Sequence, residues 1–226
     1  MSLTTDQILS AFTEEITARG GKVMETFHQG GRLFSRSILA LAEDVRPGDR
    51  VNGGVALKAK EDQVWLHPYT FRQVCRNGAI AAHTLGTESL LGLADLEPAA
   101  ALQSIRSAIG DCCRVEVFNA AVRQMRTAAE IEADLALAML PIVDRLQGLG
   151  PQIFTQILSR FFEGGDQSQF GLMQAVTSVA RDTADPDQRW DLEELGGAIA
   201  ANLTPASGPP LRTARRAPRT DEVLIG

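Results

Sequence analysis

The sequence predicts an α+β protein, in which a small antiparallel sheet with short helices forms the N-terminal half and packs on a helical C-terminal half. Between Val55 and Tyr69, apolar and polar residues alternate in the way typical of half-buried paired strands. Beyond Glu97, apolar residues instead recur at helical spacing over most of the remaining chain. We therefore predict a mixed region over residues 1–95, a helical region over 96–203 and a disordered, Arg- and Pro-rich tail over 204–226.

The composition is that of an ordinary globular chain of 226 residues with a formal net charge of −6. An excess of acids argues against a protein that binds nucleic acid over its whole surface, but it permits a local basic patch. The three cysteines are too few for a disulfide framework, and no apolar run is long enough to cross a bilayer. Because the first residues also lack a signal-peptide pattern, we expect a cytoplasmic protein with no membrane partner.

The first predicted elements are a helix and a run of strand-forming residues. Thr5 can cap the helix, its apolar positions continue to Ile16, and Gly20 ends it. The sequence Arg-Pro-Gly-Asp over residues 46–49 is typical of a turn. Residues 52–54, Asn-Gly-Gly, are expected to weaken the start of the next strand and to introduce a bulge.

The clearest pattern is a β-hairpin with a two-residue turn at 61–62. This turn places Lys58 opposite Trp65 and Leu57 opposite Leu66. One face of the hairpin is then aliphatic, whereas the other carries cationic and aromatic side chains. The aliphatic face comprises Val55, Leu57, Ala59, Val64 and Leu66, and the polar face comprises Lys58, Lys60, Trp65 and His67.

Pro68 is expected to end the strand pairing, because proline has no N–H to donate. Thr70 then caps a predicted short helix over residues 71–77. In that helix Arg72 and Arg76, four residues apart, lie on one face.

Five helices are predicted in the second half. The first is long, with Gly110 as its weak point, and the second bends at Pro141. The five predicted helices cover residues 99–127, 129–150, 151–165, 167–185 and 185–203.

Motifs for catalysis and metal binding are weak. Cys112 and Cys113 are adjacent, which is a poor spacing for one zinc ion. The chain has neither a GxSxG elbow nor a glycine-rich phosphate loop. An enzymatic interpretation with His67 as base and Cys75 as nucleophile stays open, but the residues favour a protein that is not an enzyme and has no cofactor or metal.

The polar face of the hairpin, together with the arginines that follow it, predicts a surface for single-stranded DNA. Bases stack on aromatic rings while cations follow the phosphates, and each stacked base contributes about 1–3 kcal/mol. The competing interpretation is that later helices cover this face and bury Trp65. The predicted contact residues are Lys58, Lys60, Trp65, His67, Arg72 and Arg76.

Residues 71–78 have the pattern Phe-Arg-x-Val-Cys-x-Asn-Gly directly after the predicted hairpin, and residues 174–177 read Gln-Ala-Val-Thr. These stretches resemble the domain-of-unknown-function 932 family of phage- and plasmid-borne proteins, whose closing helices carry a similar Asn-Ala-Val-Thr core. The resemblance implies a mobile-element or genome-maintenance setting, and it transfers no catalytic residue.

We therefore expect a non-enzymatic, DNA-associated protein that binds or anneals single-stranded DNA. The alternative is a protein-interaction or regulatory module, in which the helical half docks a partner or self-assembles into an oligomer. The candidate docking surface of this alternative comprises Phe154, Ile157, Phe161 and Phe162.

Overall fold

A computed structural model describes residues 3–73, 75–81, 89–135 and 151–201, and it confirms the α+β class. Seven strands form one antiparallel sheet in the N-terminal half: β1 (Lys22–Gln29), β2 (Arg32–Ile38), β3 (Ala42–Asp44), β4 (Arg50–Lys60), β5 (Gln63–Arg72), β6 (Asn77–Ile80) and β7 (Ser89–Gly92). The helices within the described ranges are α1 (Thr5–Ala18), α2 (Pro98–Cys112), α3 (Val115–Ala128), α4 (Pro151–Gly164), α5 (Gln169–Asp182) and α6 (Pro186–Ala200).

The sheet is built around the long hairpin of β4 and β5. The strand order is β1-β2-β4-β5-β6, while β3 pairs with the start of β4 and β7 with the start of β5. The predicted register is confirmed, with Lys58 opposite Trp65 and Leu57 opposite Leu66. The two-residue turn is also confirmed, and Glu61 adopts a positive φ of 55° in it.

The two faces of the sheet are covered by different helices. Helices α1 and α2 pack on the aliphatic face, where Phe12 and Ile105 join a fully buried cluster with Leu57. Helix α6 packs on the polar face, where the ring of Trp190 contacts the ring of Phe34. The helical half is therefore not a separate layer, because its members close both faces of the sheet.

Strand β5 runs through Pro68, so the prediction that this proline ends the pairing was wrong. The Pro68 carbonyl accepts a hydrogen bond from Ala81 N at 2.8 Å. The backbone nitrogen and oxygen of Pro68 therefore face the side of β5 on which β6 and β7 pair. The last β7 pair on that edge is at Leu66 and the first β6 pair is at Tyr69. The missing N–H therefore falls in the gap between two partner strands, where no ladder bond is lost.

The predicted short helix over 71–77 was also wrong. Thr70 lies inside β5, Arg72 pairs with Asn77, and the connecting turn holds Arg76 at a positive φ of 52°. Pairing with β4 and β6 overrides the local helical preference of this segment. Arg72 and Arg76 therefore lie on a strand end and a turn, rather than on one helical face.

The glycines predicted to weaken a strand start lie within β4 instead. A Cβ atom at Gly54 would lie 1.9 Å from the Ser37 carbonyl oxygen, so close strand approach requires glycine here. The interruption of strand pairing lies in the segment next to β4 instead, where residues 39–41 separate β2 from β3. The predicted 46–49 turn is confirmed, with Gly48 at a φ of 80°.

The long first helix predicted for the second half is two helices, which are separated at Cys113 and Arg114. The described start of the next predicted helix, residues 129–134, is not helical, because Glu132 forms a β-bridge with Ser168. Helices α4, α5 and α6 confirm the other three predictions.

At the N-terminus, Thr4 rather than Thr5 caps α1, with its hydroxyl accepting a hydrogen bond from Gln7 N. The predicted tail over 204–226 lies outside the described residues. None of the helices in the described part of the chain has the length and apolar character that crossing a bilayer requires.

Candidate functional site

Lys58, the first predicted DNA contact, lies between the sheet and α6. Its Nζ is 2.7 Å from Asp187 Oδ1, and only 14% of its side chain is exposed. Three rings surround the ammonium group, with centroids at 5.3 Å (Phe34), 5.6 Å (Trp65) and 5.8 Å (Trp190). The ion pair and the cation–π contacts attach α6 to the sheet, so this cation already has internal partners.

The other hairpin residues are exposed to different degrees. His67 is buried against Trp190, and its Nε2 lies 3.8 Å from Glu194 Oε1. Trp65 is half-buried, whereas Lys60 is exposed next to the hairpin turn. Helix α6 therefore covers the centre of the polar face and leaves its outer end open.

Arg72 is held by internal contacts. Its Nε and Nη2 donate to the two carboxylate oxygens of Asp49, and its Nη1 donates to Gln174 of α5 and to Cys75 Sγ. The bidentate pair with Asp49 connects the end of β5 to the 46–49 turn, and the hydrogen bond to Gln174 connects it to α5. The six predicted contact residues are thus not brought together on one open surface.

Arg76 instead lies on a cleft of about 750 Å³ between the polar face of the sheet and helices α5 and α6. Among the described residues that line this cleft, four are arginines and one is a carboxylate. We call it the arginine cleft. Its charged lining comprises Arg36 from β2, Arg76 from the β5–β6 turn, Arg181 from α5, Arg189 from α6 and Glu25 from β1.

Arg36 forms the floor of the arginine cleft, with only 5% of its side chain exposed. Its Nε donates to both carboxylate oxygens of Glu193, at 3.0 and 2.8 Å. Its Nη2 is buried and has no hydrogen-bond partner among the described residues. Buried donors without a partner are rare, and each such group in a native structure requires an explanation.

Glu193 links the floor to helix α6. It is 1% exposed, and Arg189 Nε donates to it at 3.1 Å, while Arg189 Nη1 reaches Glu25 at 2.7 Å. Burial raises the pKa of Glu193, and the guanidinium groups of Arg36 and Arg189 oppose that rise. Glu193 is thus enclosed, and it accepts hydrogen bonds from two arginines that both line the cleft.

At the rim of the arginine cleft, Arg181 is fixed by hydrogen bonds to neighbouring residues. Arg181 Nη1 donates to the Cys75 carbonyl at 2.7 Å, and its Nε donates to Asp182 at 2.8 Å. Hydrogen bonds from Arg181 and Arg160 lower the pKa of Asp182 to about 2. Because Arg160 also neutralises Asp182, part of the Arg181 charge remains for the cleft.

One wall of the cleft is apolar. Phe71 is half-buried and Met24 is 42% exposed, and both line the cleft beside the arginines. Tyr69 lies deeper, and burial raises the pKa of its phenol strongly, so the hydroxyl stays neutral. The arrangement combines cations with a flat ring, which is what the phosphates and bases of a single strand require.

The two residues of the enzymatic interpretation have different neighbours in the structure. His67 packs under Trp190, whereas Cys75 lines the arginine cleft with its Sγ 2.8 Å from Arg72 Nη1. Burial raises the pKa of Cys113 to about 11, so that thiol is not a nucleophile at neutral pH. Within the described ranges, no group of three or more His, Cys, Asp or Glu side chains is placed to hold a metal ion.

The apolar residues predicted as a docking surface mostly fill the core. Ile157 and Phe161 are buried between α4, α5 and α6, and Phe154 packs against the same cluster. Phe162 is 58% exposed, so it is the member of this set that solvent reaches most.

No protein family, no curated protein and no solved structure matches this chain. The arginine cleft is therefore the feature of this chain from which a function can be inferred. Sequence reasoning placed Arg76 in a binding site but missed Arg36, Arg181 and Arg189. Arg36 lies two residues after Phe34 on β2, and this spacing, which places both side chains on the same face of the sheet, was the local signal that Arg36 faces the covered side.

Proposed function

We propose that this protein is a non-enzymatic, DNA-associated protein that holds a short segment of single-stranded DNA in the arginine cleft. The observation that carries the proposal is Arg36, which is one of the residues lining the cleft and whose enclosed Nη2 has no hydrogen-bond partner among the described residues. Guanidinium groups bind phosphate oxygens through planar, charge-assisted hydrogen bonds. An anionic ligand would supply the missing acceptor.

The charge distribution supports a small binding footprint. The chain as a whole carries −6, so long-range attraction to DNA is weak. Four arginines nevertheless line one cleft, where Arg76 and Arg181 lie at the surface. We expect contact with about two phosphates, which gives a salt dependence of log K with a slope of about −1.4 for a single strand.

The apolar wall supports a single strand over a duplex. In a duplex the faces of the bases are stacked on each other, whereas an unpaired base can lie against Phe71 or Met24. Stacking is tolerant of sequence, so we expect little discrimination among bases.

The test is a fluorescence-anisotropy titration with a labelled oligonucleotide of about ten nucleotides at low salt. Replacing both rim cations, with Arg76→Ala and Arg181→Ala, should abolish most of the salt dependence and weaken binding by at least about tenfold. The matched control is Arg106→Ala, since Arg106 is a partly exposed arginine of α2 that pairs with Glu14 on the opposite side of the sheet. The control should bind like the wild type.

Two outcomes contradict the proposal. The first is an absence of binding by the wild-type protein at tens of micromolar. The second is equal weakening by the cleft pair and by the Arg106 control, which would indicate a diffuse charge effect. A further variant, Lys60→Ala, measures whether the open end of the hairpin contributes, and we expect a smaller loss than from the cleft pair.

A further inference from the structure

We infer that the floor of the arginine cleft is a subsite for a terminal phosphate monoester, so that the cleft binds the phosphorylated end of a strand in preference to its interior. The inference rests on the proposed function for the identity of the ligand. It names the chemical group that the floor recognises and the part of the strand that supplies it.

The depth of Arg36 is the first argument. Its side chain is 5% exposed and its carboxylate partner Glu193 is 1% exposed, so a ligand must reach down to the floor. An internal phosphodiester is flanked by a sugar on each side, and these sugars hinder its approach to a buried group. A terminal phosphate is attached on one side only and presents three oxygens at its free end.

The charge balance is the second argument. Four guanidinium groups line the cleft, and two carboxylates pair with them: Glu25, which also lines the cleft, and Glu193, which is buried behind it. Asp182, on the rim, is shared with Arg160, which lies outside this cleft. Among the described residues, a surplus of about two positive charges therefore remains, which matches the charge of about −1.5 to −2 on a phosphate monoester better than the single charge of a diester.

The hydrogen-bond geometry is the third argument. Arg36 directs Nε at both oxygens of Glu193, and this contact fixes the plane of the guanidinium group. The unpartnered Nη2 belongs to the same plane, so its direction is set before a ligand arrives. A donor that is oriented in advance loses little entropy on binding, and this favours a small, multidentate acceptor such as a phosphate group.

The test compares one oligonucleotide of about ten nucleotides in three forms, with a 5′-phosphate, a 3′-phosphate or hydroxyl groups at both ends. We expect one phosphorylated form to bind the wild-type protein at least about tenfold more tightly than the hydroxyl form. Arg36→Lys should remove this preference, because lysine keeps the charge opposite Glu193 but lacks the planar fork. The pair Arg76→Ala and Arg181→Ala should weaken all three forms by a similar factor.

A second measurement needs no Arg36 variant, which is useful because a change at a buried ion pair can prevent folding. Inorganic phosphate should raise the melting temperature of the wild-type protein above that in sodium chloride at the same ionic strength and pH. Equal binding of the three oligonucleotides, with loss of binding in the rim variants, would overturn the terminal-phosphate subsite and leave the DNA proposal standing. Stabilisation by phosphate without binding of any oligonucleotide would retain the subsite and overturn the DNA proposal. The absence of both effects would overturn both.

Discussion

The two faces of the sheet are built from alternate residues of the same strands, yet they are stabilised in different ways. On the aliphatic face, Leu57 and Leu66 are fully buried beneath α1 and α2 by apolar contacts. On the polar face, Arg36 and Lys58 are enclosed beneath α6 next to carboxylates of that helix. The alternation of apolar and polar residues along a strand therefore does not decide which face of the sheet is covered. A helix with complementary charges can cover the polar face.

This contrast has a functional consequence. The aliphatic face is held mainly by apolar packing, and its buried serines, Ser35 and Ser37, form hydrogen bonds with neighbouring strands. On the polar face, Arg36 Nη2 has no hydrogen-bond partner among the described residues and a cleft lies beside it, and the ligand that we propose would complete its hydrogen bonding. Substitutions on the first face should therefore alter stability alone, whereas those near the cleft should alter binding as well.

The largest effect on stability is expected from Glu193→Ala, which leaves the buried Arg36 without its carboxylate. Removing one partner of a buried ion pair costs about 3–5 kcal/mol of unfolding free energy. Urea denaturation monitored by tryptophan fluorescence measures the change. Glu116→Ala, at an exposed position of α3, is the matched control and should stay within about 0.5 kcal/mol of the wild type.

The double variant Arg36→Met with Glu193→Leu separates charge from packing. With both charges removed, no uncompensated ion remains, and we expect it to be more stable than Glu193→Ala. Arg189 keeps its contact with Glu25 in this variant. A double variant as unstable as the single one would show that the polar face depends on shape rather than on charge balance.

On the aliphatic face, Leu57→Ala should cost about 2–5 kcal/mol, because it leaves a cavity in a fully buried cluster. Leu57→Met nearly conserves the volume and should cost less than about 1.5 kcal/mol. Equilibrium denaturation of both variants gives the comparison, and DNA binding by the folded Leu57→Met protein should be unchanged. Similar losses from both substitutions would contradict a face that is stabilised by packing.

The close approach of the strands can be tested at the glycines. Gly54→Ala would place a Cβ 1.9 Å from the Ser37 carbonyl oxygen, and the backbone shift should cost about 1–3 kcal/mol. Gly92→Ala is the control within the same sheet, because no atom lies within 4 Å of the added Cβ. Melting temperatures that fall equally in both variants would assign the effect to strand entropy or local environment and not to the contact with Ser37.

The smallest effect is expected from Asp187→Asn, which removes the carboxylate paired with Lys58 and Arg32. Burial raises the pKa of Asp187, but the two cations lower it further, so its pKa lies below the ordinary value. A depressed pKa in the folded state gives stability that is present above the unfolded pKa of about 3.9 and is lost as the pH falls through the folded pKa.

The difference between wild type and Asp187→Asn should therefore be largest near neutral pH, at no more than about 1 kcal/mol because the pair is partly exposed, and should disappear in acid. Denaturation curves at several pH values measure it. A difference that persists unchanged below the folded pKa would assign the effect to lost packing rather than to charge.

The sequence by itself determined the elements whose signals are local. Strand alternation and the two-residue loop defined the register of Lys58 against Trp65, and helical periodicity with caps defined α4, α5 and α6. Local signals failed over residues 71–77, where pairing on both sides of β5 outweighed a weak helical preference.

Only the tertiary structure decided the site. The four arginines of the cleft come from a strand, a turn and two helices, and no spacing in the sequence relates them. They are Arg36, Arg76, Arg181 and Arg189. They converge because α6 packs on the polar face and brings Glu193 to Arg36, a contact across 157 positions of the chain. Charge pairing between residues so far apart in the chain depends on how the helices pack on the sheet. The sequence therefore shows which residues are charged, but it does not show which of them come into contact.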